Sequence, residues 1–165
     1  GQPYDDAGAW AAGGTVIGPL LDAWLAEPYF HRAPPKSTGR DLFHGDWLEA
    51  ALRAFPAAAP QDVQATLAEL TARCCADDVA RHAPGLARLV VCGGGAFNAH
   101  LMRRLAALLP QREVSSSAAL GLPPLQVEAA AFAWLASKAI GREALPLEST
   151  TGARGARVLG CVYPA

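Results

Sequence analysis

Three consecutive glycines, Gly93, Gly94 and Gly95, stand between the apolar residues Leu89, Val90, Val91 and Cys92 and an asparagine, Asn98. The short apolar run predicts a buried strand. Asn98 is a good N-cap for a helix that carries Leu101, Leu105 and Leu108. A strand, a bare glycine turn and a capped helix together make a corner suited to an anion. Glycine lets the backbone approach a ligand, and free N–H groups at a helix start favour negative charge. The same residues also suit a plain tight turn between strand and helix, and the triplet alone leaves both readings open. The spacing is neither that of a Walker loop, with its Gly-Lys-Ser/Thr end, nor the Gly-x-Gly-x-x-Gly of dinucleotide folds.

Four further groups of residues invite a chemical reading. Glu128 sits one turn into the helical stretch VEAAAFAWLA, among Val127, Ala129, Ala130 and Ala131. A carboxylate there is favoured by the helix dipole by about 0.3–1 kcal/mol without any ligand. The loop APPKSTGRD carries Lys36, Ser37, Thr38, Arg40 and Asp41 between prolines and a glycine. Its prolines stiffen it, which suits a binding surface or a subunit contact, and equally a solvated loop packed on its parent domain through Phe30 and Phe43. Asp62, Thr66, Glu69 and Arg73 recur on one side of a long helix, opposite its apolar stripe, and are expected to be exposed, with Thr71 off that row and nearer a ligand. His31, His44, His82 and His100 share no metal-ligand spacing and read as surface residues.

The elements that must position these groups are mostly helical. TVIGPLLDAWLAE reads as a helix with Val16, Leu20, Leu21, Trp24 and Leu25 on one side, ended by Pro28. Residues 28–43 read as an ordered loop. Asp46 is placed as the cap of a short helix with Trp47, Leu48, Leu52 and Phe55. Pro60 starts a long helix whose Val63, Leu67, Leu70 and Cys74 are spaced by four, three and four. Glu113, Val114 and Ser115 suggest a second strand, Gln126 to Ala139 a last strong helix with Val127, Ala131, Trp134 and Leu135 inward, and Val158 to Val162 a closing strand. Helices alternating with strands indicate an α/β layer, and two or three strands make a poor independent sheet. Leu89 to Cys92 is expected to be buried on both faces and to need neighbours on both edges.

Composition agrees with a globular α/β chain. The 165 residues make one domain by the usual prior, with 52% apolar residues and a formal net charge of −1. Acidic and basic residues are interspersed, so nothing steers toward nucleic acid or an anionic membrane. No apolar run approaches the roughly 18 residues of a membrane span. Cys74, Cys75, Cys92 and Cys161 include no Cys-x-x-Cys pair, which leaves reduced, buried thiols in a cytosolic protein as the simpler reading.

Six segments in sequence, GQPYDDAGAWAAGG, EPYFHRAPPKSTGRDLF, DVQATLAELTA, VVCGGGAFNAHLMRRL, VEAAAFAWLASKA and TTGARGARVLGCVYP, span most of the chain. In that order they resemble the C-terminal half of the anhydro-N-acetylmuramic acid kinase family, bacterial cell-wall recycling enzymes related to sugar kinases, Hsp70-like ATPases and actins. The resemblance implies the C-terminal part of a ribonuclease-H-like domain, with the sheet completed by an N-terminal part. It implies ATP and Mg2+ as cofactors, with Gly93, Gly94, Gly95 and Asn98 on the nucleotide side. It also places Glu128 facing an amino sugar, whose hydroxyls a carboxylate can accept in pairs. The acidic residues that often precede this Glu in the family are replaced here by Leu125 and Gln126.

The family's GTSMDG-like phosphate loop and DTGPGN-like stretch with its Asp base have no counterpart in this chain, whose only Met is Met102. The resemblance thus implies that Gly1 falls within a longer protein, that no catalytic residue lies in this chain, and that it is inactive alone. For the whole enzyme it implies ATP-dependent phosphorylation of the 6-oxygen of 1,6-anhydro-N-acetylmuramic acid, with water opening the anhydro bridge, in the cytoplasm. A homodimer is compatible with it. Two alternatives stay open: a non-catalytic binding module derived from the kinase, and another actin-like ATPase. The latter's metal-binding His-x-x-x-His pair is missing here.

Overall fold

The computed structural model describes residues 2–163. In chain order the helices α1 (Ala9–Ala12), α2 (Gly18–Leu25), α3 (Gly45–Leu52) and α4 (Pro60–His82) come first. Strand β1 (Arg88–Val91), helix α5 (Ala99–Leu108) and strand β2 (Glu113–Ser116) follow, then α6 (Val127–Ile140) and the single turn α7 (Glu148–Thr151).

The long helix α4 is the axis of the molecule. Pro60 opens it where no intrahelical N–H bond is needed, and Asp62 in its first turn with Arg81 and His82 in its last complement the dipole. The expected stripe is in place: Leu70 is buried with Leu20, Leu21 and Trp24 of α2, and Val63, Leu67 and Cys74 pack around that cluster. Helix α2 is shorter than the apolar run suggested, and Val16 lies before it, 41% exposed. Trp47 of α3 stacks on Trp24 with ring centres 5.6 Å apart, and Phe43 meets Trp47 edge-on at 5.1 Å. Phe30 stacks on Phe43 at 5.3 Å, so the segment between Pro28 and Phe43 is pinned by aromatics, as its packed-loop reading expected. Asp46 is not the cap of α3: the helix starts at Gly45 after His44, and Asp46 lies in its first turn.

The opposite face of α4 departs from expectation. Thr66 is fully buried and Glu69 is 5% exposed, because α1 and α5 pack on that side. The Thr66 hydroxyl donates to the Asp62 carbonyl at 2.7 Å and accepts the Ile17 N–H at 2.9 Å, while the Asp62 carboxylate accepts the Thr15 N–H at 2.7 Å. The row read as solvent-facing thus serves as a second packing surface. Arg73 and Thr71 are exposed, and the Thr71 hydroxyl donates to its own helix at the Leu67 carbonyl.

Strands β1 and β2 form a two-stranded parallel sheet in the register Leu89 with Val114 and Val91 with Ser116, joined by the crossover helix α5. Among the described residues β1 is paired on one edge only. Its exposure alternates: Leu89 and Val91 are half-buried, and Val90 is 37% exposed. The strand is therefore not buried on both faces, since helix covers one side alone. Helix α6 has no buried residue; Ala131 is exposed, Trp134 is 49% exposed, and only Val127 and Leu135 of the expected inward set are half-covered. Residues 158–162 form no strand; the last pairing is a single antiparallel bridge between Leu145 and Arg157. The cysteines are free, but only Cys74 is even half-buried, because the apolar runs that hold Cys92 and Cys161 lie on open faces. Among the described residues no helix is long and apolar enough to cross a membrane.

Candidate functional site

The glycine triplet lies at the carboxyl end of β1, where ligands of open parallel sheets collect. Gly93 takes φ +69°, a left-handed value that excludes most side chains, and turns the chain into the short 3-10 turn Gly94–Phe97. Asn98 then caps α5 as expected: its Oδ1 accepts the Leu101 N–H at 2.9 Å. Within the turn, Ala96 N–H bonds to Gly93 O and Asn98 N–H to Gly95 O. The N–H groups of Gly94 and Gly95 have no acceptor among the described residues. A Cβ built on Gly93 or Gly94 would meet no atom within 4 Å. Two free amide donors therefore line an open approach at a helix start, an arrangement that fits an anionic group such as a phosphate.

A second segment is hooked onto this corner. Gly93 N–H donates to the Pro124 carbonyl at 3.0 Å, and the turn Pro124–Gln126 packs on the turn Gly94–Phe97. That turn leads straight into α6, so Glu128, in the first turn of α6, enters the neighbourhood of the glycines from another element. Glu128 is exposed and has no hydrogen bond or ion pair among the described residues. The structure thus brings Gly93, Gly94, Gly95 and Asn98 together and sets the start of α6 beside them.

The other charged loop lies elsewhere. Lys36 is tied down: its Nζ lies 2.8 Å from the Asp78 carboxylate on α4, donates to the Phe30 carbonyl at 3.2 Å, and stands 5.4 Å over the Tyr29 ring. Ser37, Thr38, Arg40 and Asp41 are exposed. Of the histidines, His31, His44 and His82 are exposed and His100 is half-buried, and no group of three or more His, Cys, Asp or Glu side chains gathers among the described residues.

Four features around the corner and along α5 escaped the sequence reading. Ser115 and Ser117, at the carboxyl end of β2, have buried hydroxyl oxygens without partners among the described residues. The signal was the serine run 115–117 that closes the second strand, which places hydroxyls at the same sheet end as the glycines. The open hollow of about 1040 Å³ beside α1 is lined by Tyr4, Asp5, Asp6, Trp10 and Gln64. Burial alone would raise the Asp5 pKa, yet the Ala11 and Trp10 N–H groups that Asp5 accepts hold its carboxyl below the ordinary value. Gly8, at φ +72°, lies so close to Asn98 and His100 that any side chain there would collide with them, which seats this segment against the start of α5. Finally, Glu69 of α4 bonds to Arg104 of α5.

Comparison with known proteins meets this geometry. A sequence profile for the family described as anhydro-N-acetylmuramic acid kinase matches residues 1–165. A protein of that name from Albidiferax ferrireducens is 61% identical over 165 residues, covering all of this chain and 42% of the relative. One from Variovorax paradoxus is also 61% identical, with 44% of the relative covered, and one from Chromobacterium violaceum is 54% identical over 99% of this chain and 45% of its own length. The chain thus spans less than half the length of these relatives. A match along its whole length at such identity decides the kinship: the chain belongs to the anhydro-N-acetylmuramic acid kinase family.

Proposed function

We propose that this chain forms the C-terminal, ribonuclease-H-like part of a cytoplasmic kinase that uses ATP and water to convert 1,6-anhydro-N-acetylmuramic acid into N-acetylmuramic acid 6-phosphate. The observation that carries the reading is the pair of free N–H groups at Gly94 and Gly95, beside the entry to α6. In this reading Gly93, Gly94, Gly95 and Asn98 hold the nucleotide. The two amides donate to its phosphate oxygens, Gly93 makes the turn that presents them, and Asn98 caps the helix that follows, whose N-terminal end also favours an anion. ATP, when bound, supplies the phosphoryl group. Glu128 accepts hydrogen bonds from two sugar hydroxyls and so orients the ring.

No group of three or more His, Cys, Asp or Glu side chains gathers among the described residues, so this part has no Mg2+ site of its own. The Asp base and the main phosphate loop belong to the N-terminal half of the same protein, and the cleft forms between the two halves. The loop 34–41 is then a packing segment available to a homodimer contact. The alternative of a non-catalytic module rests on the same corner without the second half.

The test is a titration of the full-length kinase with a non-hydrolysable ATP analogue. Gly94→Val places a branched side chain over the amides and is expected to weaken the analogue by about tenfold or more, the loss of one to two phosphate hydrogen bonds. Parental affinity in a folded Gly94→Val variant removes the glycine turn from the site.

A further inference from the structure

Glu69 was expected on a solvent-facing row, yet its side chain is 6% exposed between two helices. Arg104 of α5 meets it with a two-pronged contact: Nε lies 2.7 Å from Oε2 and Nη2 3.0 Å from Oε1. Arg73, one turn further along α4, adds a bond from its Nε to Oε1 at 3.1 Å. Both carboxylate oxygens are thereby satisfied. Glu69 is buried but the Arg104 side chain is 37% exposed, so solvent screens the pair and it is weak as a source of stability. What a fork-to-carboxylate contact supplies is direction, since two parallel bonds hold a planar guanidinium in one orientation.

The rest of the contact between these helices lacks that direction. Leu105 and Leu109 are buried beside Arg104, and apolar packing alone tolerates small rotations and slides of one helix on another. Helix α5 begins at the Asn98 cap, so its rotation and axial position set where the Gly94 and Gly95 amides point. On the other side of that cap, the Gly8 backbone leaves no room for the helix start to move toward α1.

We infer that Glu69 is a positioning residue for nucleotide binding: by gripping the Arg104 guanidinium it fixes the register of α5 on α4 and thereby aims the glycine corner at the phosphates. The inference rests on the reading of that corner as the nucleotide site.

The experiment uses the full-length kinase with Glu69→Gln, Arg104→Lys, their combination, and Gly94→Val as the reference for the corner itself. Glu69→Gln keeps the shape and removes the charge; Arg104→Lys keeps the charge and removes the fork. Each is expected to raise the Kd for a non-hydrolysable ATP analogue and the KM for ATP by about tenfold, the range of couplings carried through packed elements, while kcat and the KM for the sugar stay near parental values. The double variant is expected to bind the analogue no more weakly than the weaker single variant, because both changes break one device. Parental nucleotide affinity in both single variants, with Gly94→Val impaired, overturns the positioning role and leaves the corner standing. Equal weakening of nucleotide and sugar also overturns it, since that is general loosening. Parental affinity in Gly94→Val overturns the corner and this role together. Should Glu69→Gln fail to fold, Arg104→Lys, which leaves no buried charge unpaired, decides the matter.

Discussion

At the scale of single residues, the corner separates what a local rule can reveal from what it cannot. Asn98 bonds to an amide three residues along its own chain, and its capping role follows from residue type and position alone. Glu69 bonds to a partner 35 residues away, and nothing in its helical row distinguishes it from the exposed Arg73. Glu128 stands between these cases: the start of α6 was legible, but its nearness to the glycines depends on the Gly93-to-Pro124 bond, a tertiary contact. Its lack of a partner among the described residues gives a sharp expectation. In the full-length kinase, Glu128→Gln keeps the shape and removes the charge, so turnover of the anhydrosugar should fall by about tenfold to a hundredfold while nucleotide affinity holds. Steady-state kinetics against both substrates read this directly, and a fall in nucleotide affinity with intact sugar kinetics places Glu128 on the other side of the cleft.

At the scale of elements, helices with one-sided apolar spacing were legible, and those whose second face is covered were only half so. The stripe of α4 from Val63 to Cys74 packs as its spacing indicates, but the burial of Thr66 and Glu69 comes from α1 and α5 arriving on the far side. Strand β1 and helix α6 failed the other way: apolar composition suggested burial, and burial needs neighbours that these residues do not supply. The α4–α5 contact also has a pH signature. Burial alone would raise the Glu69 pKa, but the bonds and charges of Arg104 and Arg73 outweigh it and hold the carboxyl below its ordinary value of 4.5. A carboxylate depressed in the folded state stabilises the fold above its unfolded pKa, and that contribution fades as pH falls through the depressed value. Thermal melting of the full-length protein between about pH 6 and pH 3 should therefore show an acid-side loss of stability that is shallower in Glu69→Gln, because Gln does not titrate. Identical slopes for parent and variant would mean that this pair is not linked to folding.

At the scale of the whole molecule, the apolar surface is unevenly distributed. Leu125, Phe132 and Ile140 on and before α6 are 68%, 63% and 75% exposed, while β1, among the described residues, offers an unpaired edge with Val90 open. Exposed apolar surface and a free strand edge each favour association. The 165-residue chain taken alone is accordingly expected to self-associate or melt early, and to release no ADP in the presence of ATP and the anhydrosugar; size-exclusion chromatography, thermal melting and a coupled assay check these. A monodisperse, heat-stable monomer with turnover would refute both the boundary and the assignment of the base to the other half. The same unevenness gives the molecule two internal light sources. Trp24 and Trp47 are stacked in the helical core, whereas Trp10, 48% exposed, lines the hollow beside α1, and Trp134, 49% exposed, lies on α6. Emission from buried Trp24, and less fully from half-buried Trp47, is shielded and reports on unfolding. Emission from the second pair is open to water-borne quenchers and reports on whatever comes to cover those faces. One protein without added labels can thus distinguish, by colour and by quenching, a chain that has lost its core from a chain that has found its neighbour.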